Sequence, residues 1–147
     1  MRIQEQTMKK LIFLMMINIF IFNAANAEFL YNSTVTDTDT GLMWQNDAVG
    51  STMTWYQAIT YCEDKELGGY NDWRLPNNRE LISISDPSTS DPAINAAFTQ
   101  TASDYYWTST TYSFDTRYAR TVDFTYAISD LYLKTESHYV RCVRGVQ

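Results

Sequence analysis

The sequence predicts an α+β domain, with two helices packed on a small antiparallel sheet, and three observations carry that prediction. Between residues 54 and 84 two segments space their apolar residues at helical intervals, and each is preceded by a side chain able to cap it. From Tyr105 onward the chain changes to short β-branched and aromatic runs with alternating faces, the pattern of antiparallel strands. Helices first and strands after them make an α+β plan, not an alternating α/β one. At 147 residues the chain is long enough for one domain with its own core.

The N-terminus reads as a secretory signal peptide. Arg2, Lys9 and Lys10 give a basic start, Leu11 to Phe22 an apolar run of 12 residues, and Ala25-Asn26-Ala27 a small-residue cleavage pattern. A spanning helix needs roughly 20 apolar residues, so no membrane insertion is expected after cleavage. Met1 and Met8 both stand as starts, since Met8-Lys9-Lys10 is also a usual opening for such a signal. The expected organisation is therefore residues 1–27 as signal peptide and residues 28–147 as one exported domain, secreted or periplasmic. Cleavage after Ala27 leaves 8 Lys and Arg against 16 Asp and Glu, a net charge of −8. That balance argues against nucleic acid and against anionic membrane surfaces as partners.

Phe29 to Thr36, a turn at Asp37-Thr38-Asp39-Thr40-Gly41 and the run Leu42-Met43-Trp44-Gln45 predict an opening hairpin. Thr54 with Gln57 three residues on makes a capping box, and Trp55, Ala58, Ile59 and Cys62 fall at i, i+3, i+4 and i+7. This predicts a helix from Trp55 to Leu67, stopped by Gly68-Gly69. Pro76 holds Trp73-Arg74-Leu75 extended, after which Asn77 and Glu80 cap a second helix that Asp86-Pro87 ends. A surface loop through Asp91-Pro92 follows, then a short helical turn over residues 93–98. The expected strands are Tyr105 to Thr110, Tyr118 to Phe124, Leu131 to Leu133 and Tyr139 to Val143.

Both cysteines, Cys62 and Cys142, lie in the exported part, and an even pair in an oxidising compartment reads as a disulfide. The alternative is two free thiols, one of them a nucleophile.

Five words in order hold the rest of the signal: Gly41-Leu42-Met43-Trp44, Trp55…Ala58…Tyr61-Cys62, Gly68-Gly69-Tyr70-Asn71-Asp72-Trp73-Arg74-Leu75-Pro76, Tyr106-Trp107-Thr108-Ser109 and Val140-Arg141-Cys142-Val143-Arg144-Gly145. Their order and spacing resemble the Lcl C-terminal domain family, a bacterial extracytoplasmic family, over Asp37 to Gly145. The resemblance implies a C-type-lectin-like fold in which the sheet brings the two ends together and a helix-to-last-strand bridge closes the domain. Trp44, Trp55, Trp73, Arg74 and Trp107 read as fold determinants, with Arg74 paired to a carboxylate such as Glu80. The resemblance also implies an adhesin-like role. The adhesin that names the family binds sulfated glycosaminoglycans, and at −8 such a polyanion requires Arg117, Arg120, Arg141 and Arg144 to form a local patch.

Catalytic and metal motifs are weak. The Glu-Pro-Asn and Trp-Asn-Asp words of calcium-dependent lectins do not occur. Asp37 and Asp39 resemble the start of a calcium loop but lack the Glu at its twelfth position, and read as a turn. His138 is the single histidine, which excludes a multi-imidazole zinc site, and it reads as a solvent-facing residue at a strand end. No cofactor is expected.

What remains is the Tyr-rich stretch from Ser103 to His138. Tyr offers contact area at low entropy cost and stacks on sugar rings. Tyr112, Phe114, Asp115, Tyr126 and Asp130 fall between the expected strands and form the candidate ligand surface. The sequence reading is an exported, non-enzymatic binding module for a surface glycan or protein. Its alternatives are an accessory envelope protein assembling with itself or another exported chain, and a thiol enzyme of the formylglycine-generating type.

Overall fold

The computed structural model describes residues 33–47 and 50–145. The signal peptide reading and the expected strand residues Phe29 to Asn32 lie outside them. The described residues form strands β1 (Thr34–Asp37) and β2 (Leu42–Gln45), helices α1 (Trp55–Glu63) and α2 (Asn78–Ser83), then strands β3 (Tyr105–Thr111), β4 (Tyr118–Asp123), β5 (Ile128–Leu133) and β6 (Val143–Gly145). The α+β plan holds, with one difference. The strands make two antiparallel three-stranded sheets, ordered β1-β2-β6 and β3-β4-β5, not one.

The segment that joins the sheets is the last one. His138 pairs with Met53 and Tyr139 with Tyr106, while β6 pairs with β2 and bridges Arg74 through Val143. Val143 and Arg74 exchange two backbone hydrogen bonds of 2.9 Å. The final strand is shorter and later than alternation predicts. At Cys142 the N–H goes to the Gln45 side-chain oxygen at 3.0 Å, although its carbonyl still accepts from Gln45 N at 2.9 Å.

Helix α1 starts where its cap predicts, with Gln57 Oε1 accepting from the Thr54 N–H at 3.0 Å. It ends at Glu63, four residues early. Gly68 and Gly69, at φ +64° and +81°, form instead the two-residue turn of a bridge between Leu67 and Tyr70. Trp73 Nε1 donates to the carbonyls of Leu67 (3.2 Å) and Tyr70 (3.1 Å) and closes that turn. Asn77 and Glu80 cap α2 reciprocally as expected, and residues 95–98 form a turn on the Asn95 side chain, not a helix.

Strand β3 carries a bulge between Trp107 and Thr111. It turns two backbone groups away from β4 toward neighbours. Thr108 O accepts from Trp55 Nε1 at 2.8 Å, and Ser109 N donates to Pro76 O at 2.8 Å. Trp107 Nε1 in turn reaches Met53 O at 2.8 Å, so Trp55 and Trp107 tie α1 and its lead-in to β3 from both sides.

Among the described residues two buried clusters form the core. Trp44, Leu81, Phe98, Tyr106, Val122 and Phe124 centre one; Trp73, Trp107, Ala119 and the disulfide Cys62–Cys142 centre the other. The bridge spans 80 residues of sequence and joins α1 to the residue before β6, so neither thiol is free.

Candidate functional site

The loop between β3 and β4 presents the first three ligand candidates together. Phe114 is 88% exposed, and its ring lies 5.5 Å from that of Tyr112. Asp115 forks onto Arg117, with 2.7 Å from Nη2 to Oδ2, and its Oδ1 also accepts the Arg117 N–H at 3.0 Å. The Arg117 guanidinium and these hydrogen bonds hold the Asp115 carboxyl below the usual carboxylate range. The loop is therefore a fixed tip carrying an aromatic pair.

Tyr126 is not part of that tip. It stands 69% exposed in the turn between β4 and β5, at the opposite end of the six-residue β4, roughly 17 Å away. Asp130 is not in a loop at all: it lies within β5 opposite Thr121, and its carboxylate accepts the N–H of Leu131 at 2.8 Å. The strand extends N-terminally to Ile128 because β4 supplies a full ladder down to Asp123. The five candidates thus occupy three separate places.

An unforeseen concavity lies along α1. An open cleft of about 770 Å³ is lined by residues 51–53 and by Tyr56, Gln57, Thr60, Tyr61, Asp64 and Lys65. Tyr56 is 62% exposed, and its ring is braced edge-on by Trp55 at 5.2 Å. Within the lining, Lys65 Nζ contacts Asp47 Oδ2 and Tyr61 Oη, both at 3.0 Å, and Gln45 Nε2 reaches the same Tyr61 oxygen at 3.2 Å. Burial disfavours the charge on Lys65, but the hydrogen bonds that it donates to Tyr61 and Asp47 outweigh it and hold the ammonium above its ordinary value. Sequence reading passed over this face because polar residues on a helix signal only solvent. The one hint is an aromatic among them, Tyr56, at a position facing away from the core.

The four arginines do not make an anion-binding patch. Arg141 is 3% exposed, donates to the carbonyls of Gln45 and Gln100, and lies over the Phe98 ring at 4.9 Å. Arg144 is clamped by Asp72, with 3.0 Å from Nη2 to Oδ2, and stacks on Tyr70 at 3.7 Å. Arg117 belongs to Asp115, which leaves Arg120. Charge that must be buried is paired or hydrogen-bonded, so Arg141 and Arg144 serve the fold.

His138 is not solvent-facing. The Met53 bridge folds it inward, where its ring meets those of Tyr132 (4.4 Å), Trp107 (4.8 Å) and Tyr105 (5.8 Å). Burial pushes its pKa down despite the nearby Glu136 and Asp104 charges. In the same cluster the Tyr105 hydroxyl raises the Tyr132 phenol to about 12.

Asp37 behaves as a turn residue, accepting from the N–H groups of Asp39 (3.0 Å) and Thr40 (3.3 Å) and from the Thr40 hydroxyl (2.7 Å). The Thr40 hydroxyl is the main cause of its lowered pKa. Among the described residues no group of three or more His, Cys, Asp or Glu side chains converges as metal ligands, and no helix is long and apolar enough to cross a membrane. Of the fold determinants, Trp44, Trp73 and Trp107 are buried, Trp55 is half-buried, and Arg74 pairs with Glu80 as expected.

No curated protein matches the chain. Residues 33–144 match the model described as the Lcl C-terminal domain, which spans every element from β1 into β6. The chain belongs to the Lcl C-terminal domain family.

Proposed function

We propose that the protein is an exported, non-enzymatic binding module of C-type-lectin-like fold that recognises a surface glycan or protein. The observation that carries this reading is aromatic exposure on braced backbone: Phe114 at 88%, Tyr126 at 69% and Tyr56 at 62%. Large apolar rings held in water forfeit burial that the core offers, and such rings on fixed turns are what binding surfaces use. The disulfide supports the extracytoplasmic part, since such bridges persist in oxidising compartments. It also engages both thiols, which speaks against thiol catalysis. The lectin-like assignment draws on the two helices, the shared sheet of first and last strands, and the bridge from α1 to the end of the chain.

The test is binding of the full chain to a glycan array and to intact cell surfaces, beside Tyr56→Ser, Phe114→Ser and Tyr126→Ser. Binding that at least one substitution abolishes at an unchanged unfolding midpoint supports the reading. A wild type that binds neither, or three variants that all bind as wild type does, sinks it.

A further inference from the structure

We infer that the cleft along α1 is a binding site for a neutral sugar, with Tyr56 as its stacking platform; this rests on the binding-module reading. The argument comes from which hydrogen-bonding capacities are already used. Tyr61 Oη accepts from both Lys65 Nζ (3.0 Å) and Gln45 Nε2 (3.2 Å), so its own O–H remains to donate. Gln57 has its Oε1 engaged by the Thr54 N–H and hydroxyl, each at 3.0 Å, and offers its NH₂ group. The Thr60 hydroxyl proton goes to the Tyr56 carbonyl at 3.3 Å, which leaves its oxygen as an acceptor.

Asp64, at the C-terminal end of α1, has a carboxylate with no hydrogen bond or ion pair to any described residue. From Tyr56 to Asp64 the face rises about 12 Å along the helix. One lining face therefore carries an exposed ring, two free donors, a hydroxyl acceptor and a free carboxylate. A ligand satisfying all of them has an apolar face for the ring and a rim of hydroxyls that both donate and accept. A pyranose has both.

Charge narrows the class. The cation of the cleft, Lys65, is held by Asp47 at 3.0 Å, so the unpaired charge facing a ligand is the negative Asp64. A sulfated, phosphorylated or uronate sugar meets repulsion there and finds no arginine to offset it. Neutral hexoses and N-acetylhexosamines do not.

The experiment is isothermal titration of the full chain with neutral oligosaccharides of glucose, galactose, mannose and N-acetylglucosamine, and with heparin as the sulfated probe. The expected result is neutral-sugar binding nearly insensitive to salt. Affinity falls at least tenfold in Tyr56→Ala and in Asp64→Ala, survives in Tyr56→Phe, and is unchanged in Ile128→Ala, an exposed apolar residue outside the cleft lining. Heparin preference with a steep salt dependence overturns the inference. So does sugar binding lost only in Phe114→Ala or Tyr126→Ala, although that leaves the binding-module reading standing. No sugar binding at all, alongside cell-surface binding that is lost on substitution at Phe114 or Tyr126, removes the sugar site and keeps a protein partner. Circular dichroism and intact mass of each variant separate lost binding from lost fold.

Discussion

Arg74 and Glu80 meet fork to fork, Nη1 to Oε2 at 2.8 Å and Nη2 to Oε1 at 2.7 Å, and the same carboxylate also accepts the Asn77 N–H at 2.8 Å. One side chain thus caps α2 and fixes the extended strand that leads into it. The Arg74 side chain is 46% exposed, so the ion pair by itself contributes less than about 1 kcal/mol. Arg74→Ala is expected to cost no more than that in urea unfolding. Glu80→Ala removes the cap as well and is expected to cost about 1–2 kcal/mol.

Reduction tests the bridge. In the chain-entropy account, closing a loop of 80 residues stabilises by about 4–5 kcal/mol. Substituting Cys62 and Cys142 together by Ser is expected to lower the urea midpoint accordingly. Because both residues are fully buried, dithiothreitol should act on the native protein only as fast as it opens.

Two tryptophans separate packing from hydrogen bonding. Trp44 and Trp107 are both fully buried, but the Trp44 indole N–H has no partner among the described residues, whereas that of Trp107 holds Met53 O. Trp44→Phe loses volume alone. Trp107→Phe also removes one of the two hydrogen bonds that Met53 O accepts, the other coming from the His138 N–H at 3.0 Å, and the difference in unfolding free energy is expected to be about 1 kcal/mol.

Acid should unfold the domain in two stages. His138 has a folded pKa depressed by burial, so the unfolded chain takes up the proton first, and stability begins to fall as pH drops below about 6.5. One proton gives a slope of at most about 1.4 kcal/mol per pH unit. The carboxylates of Asp72 and Glu80 are depressed chiefly by hydrogen bonds from Arg144 and Arg74. Their contribution is present above the ordinary carboxylate range of about 4 and is lost as pH falls through their lower folded values. Urea midpoints between pH 8 and 3 should show both steps, and His138→Phe should erase only the upper one.

Ala127 sits at φ +58° in the turn between β4 and β5, a left-handed conformation that costs a residue with a Cβ about 1 kcal/mol. Ala127→Gly is expected to raise stability by up to that amount, measured by thermal unfolding. Unchanged or lowered stability would show that strand pairing already relieves the strain.

Local chemistry in the sequence carried far. The capping side chains at Thr54, Asn77 and Glu80 located the helix starts, and the cysteine pair and Arg74–Glu80 pairing followed from compartment and charge. What depended on the return of the chain was not legible. Alternation along residues 139–143 holds no sign that Tyr139 joins one sheet and Val143 the other. Nor does it show that Met53 draws His138 under three aromatic rings. The candidate surface fared likewise, because position between strands does not say which end of a sheet a loop occupies. Tyr112 and Tyr126 are 14 residues apart in sequence and at opposite poles of β4.

Strands β1 and β6 flank β2 on either side. Their outer ends, at Thr34 and Gly145, are offset by three residues along the ladder and two strand spacings across it, roughly 15 Å apart. A domain whose entry and exit are such close neighbours can be spliced into a host polypeptide as a bulge on a single loop. It can equally be threaded in tandem without forcing its flanks apart, a mechanical convenience for any module displayed along an extended stalk.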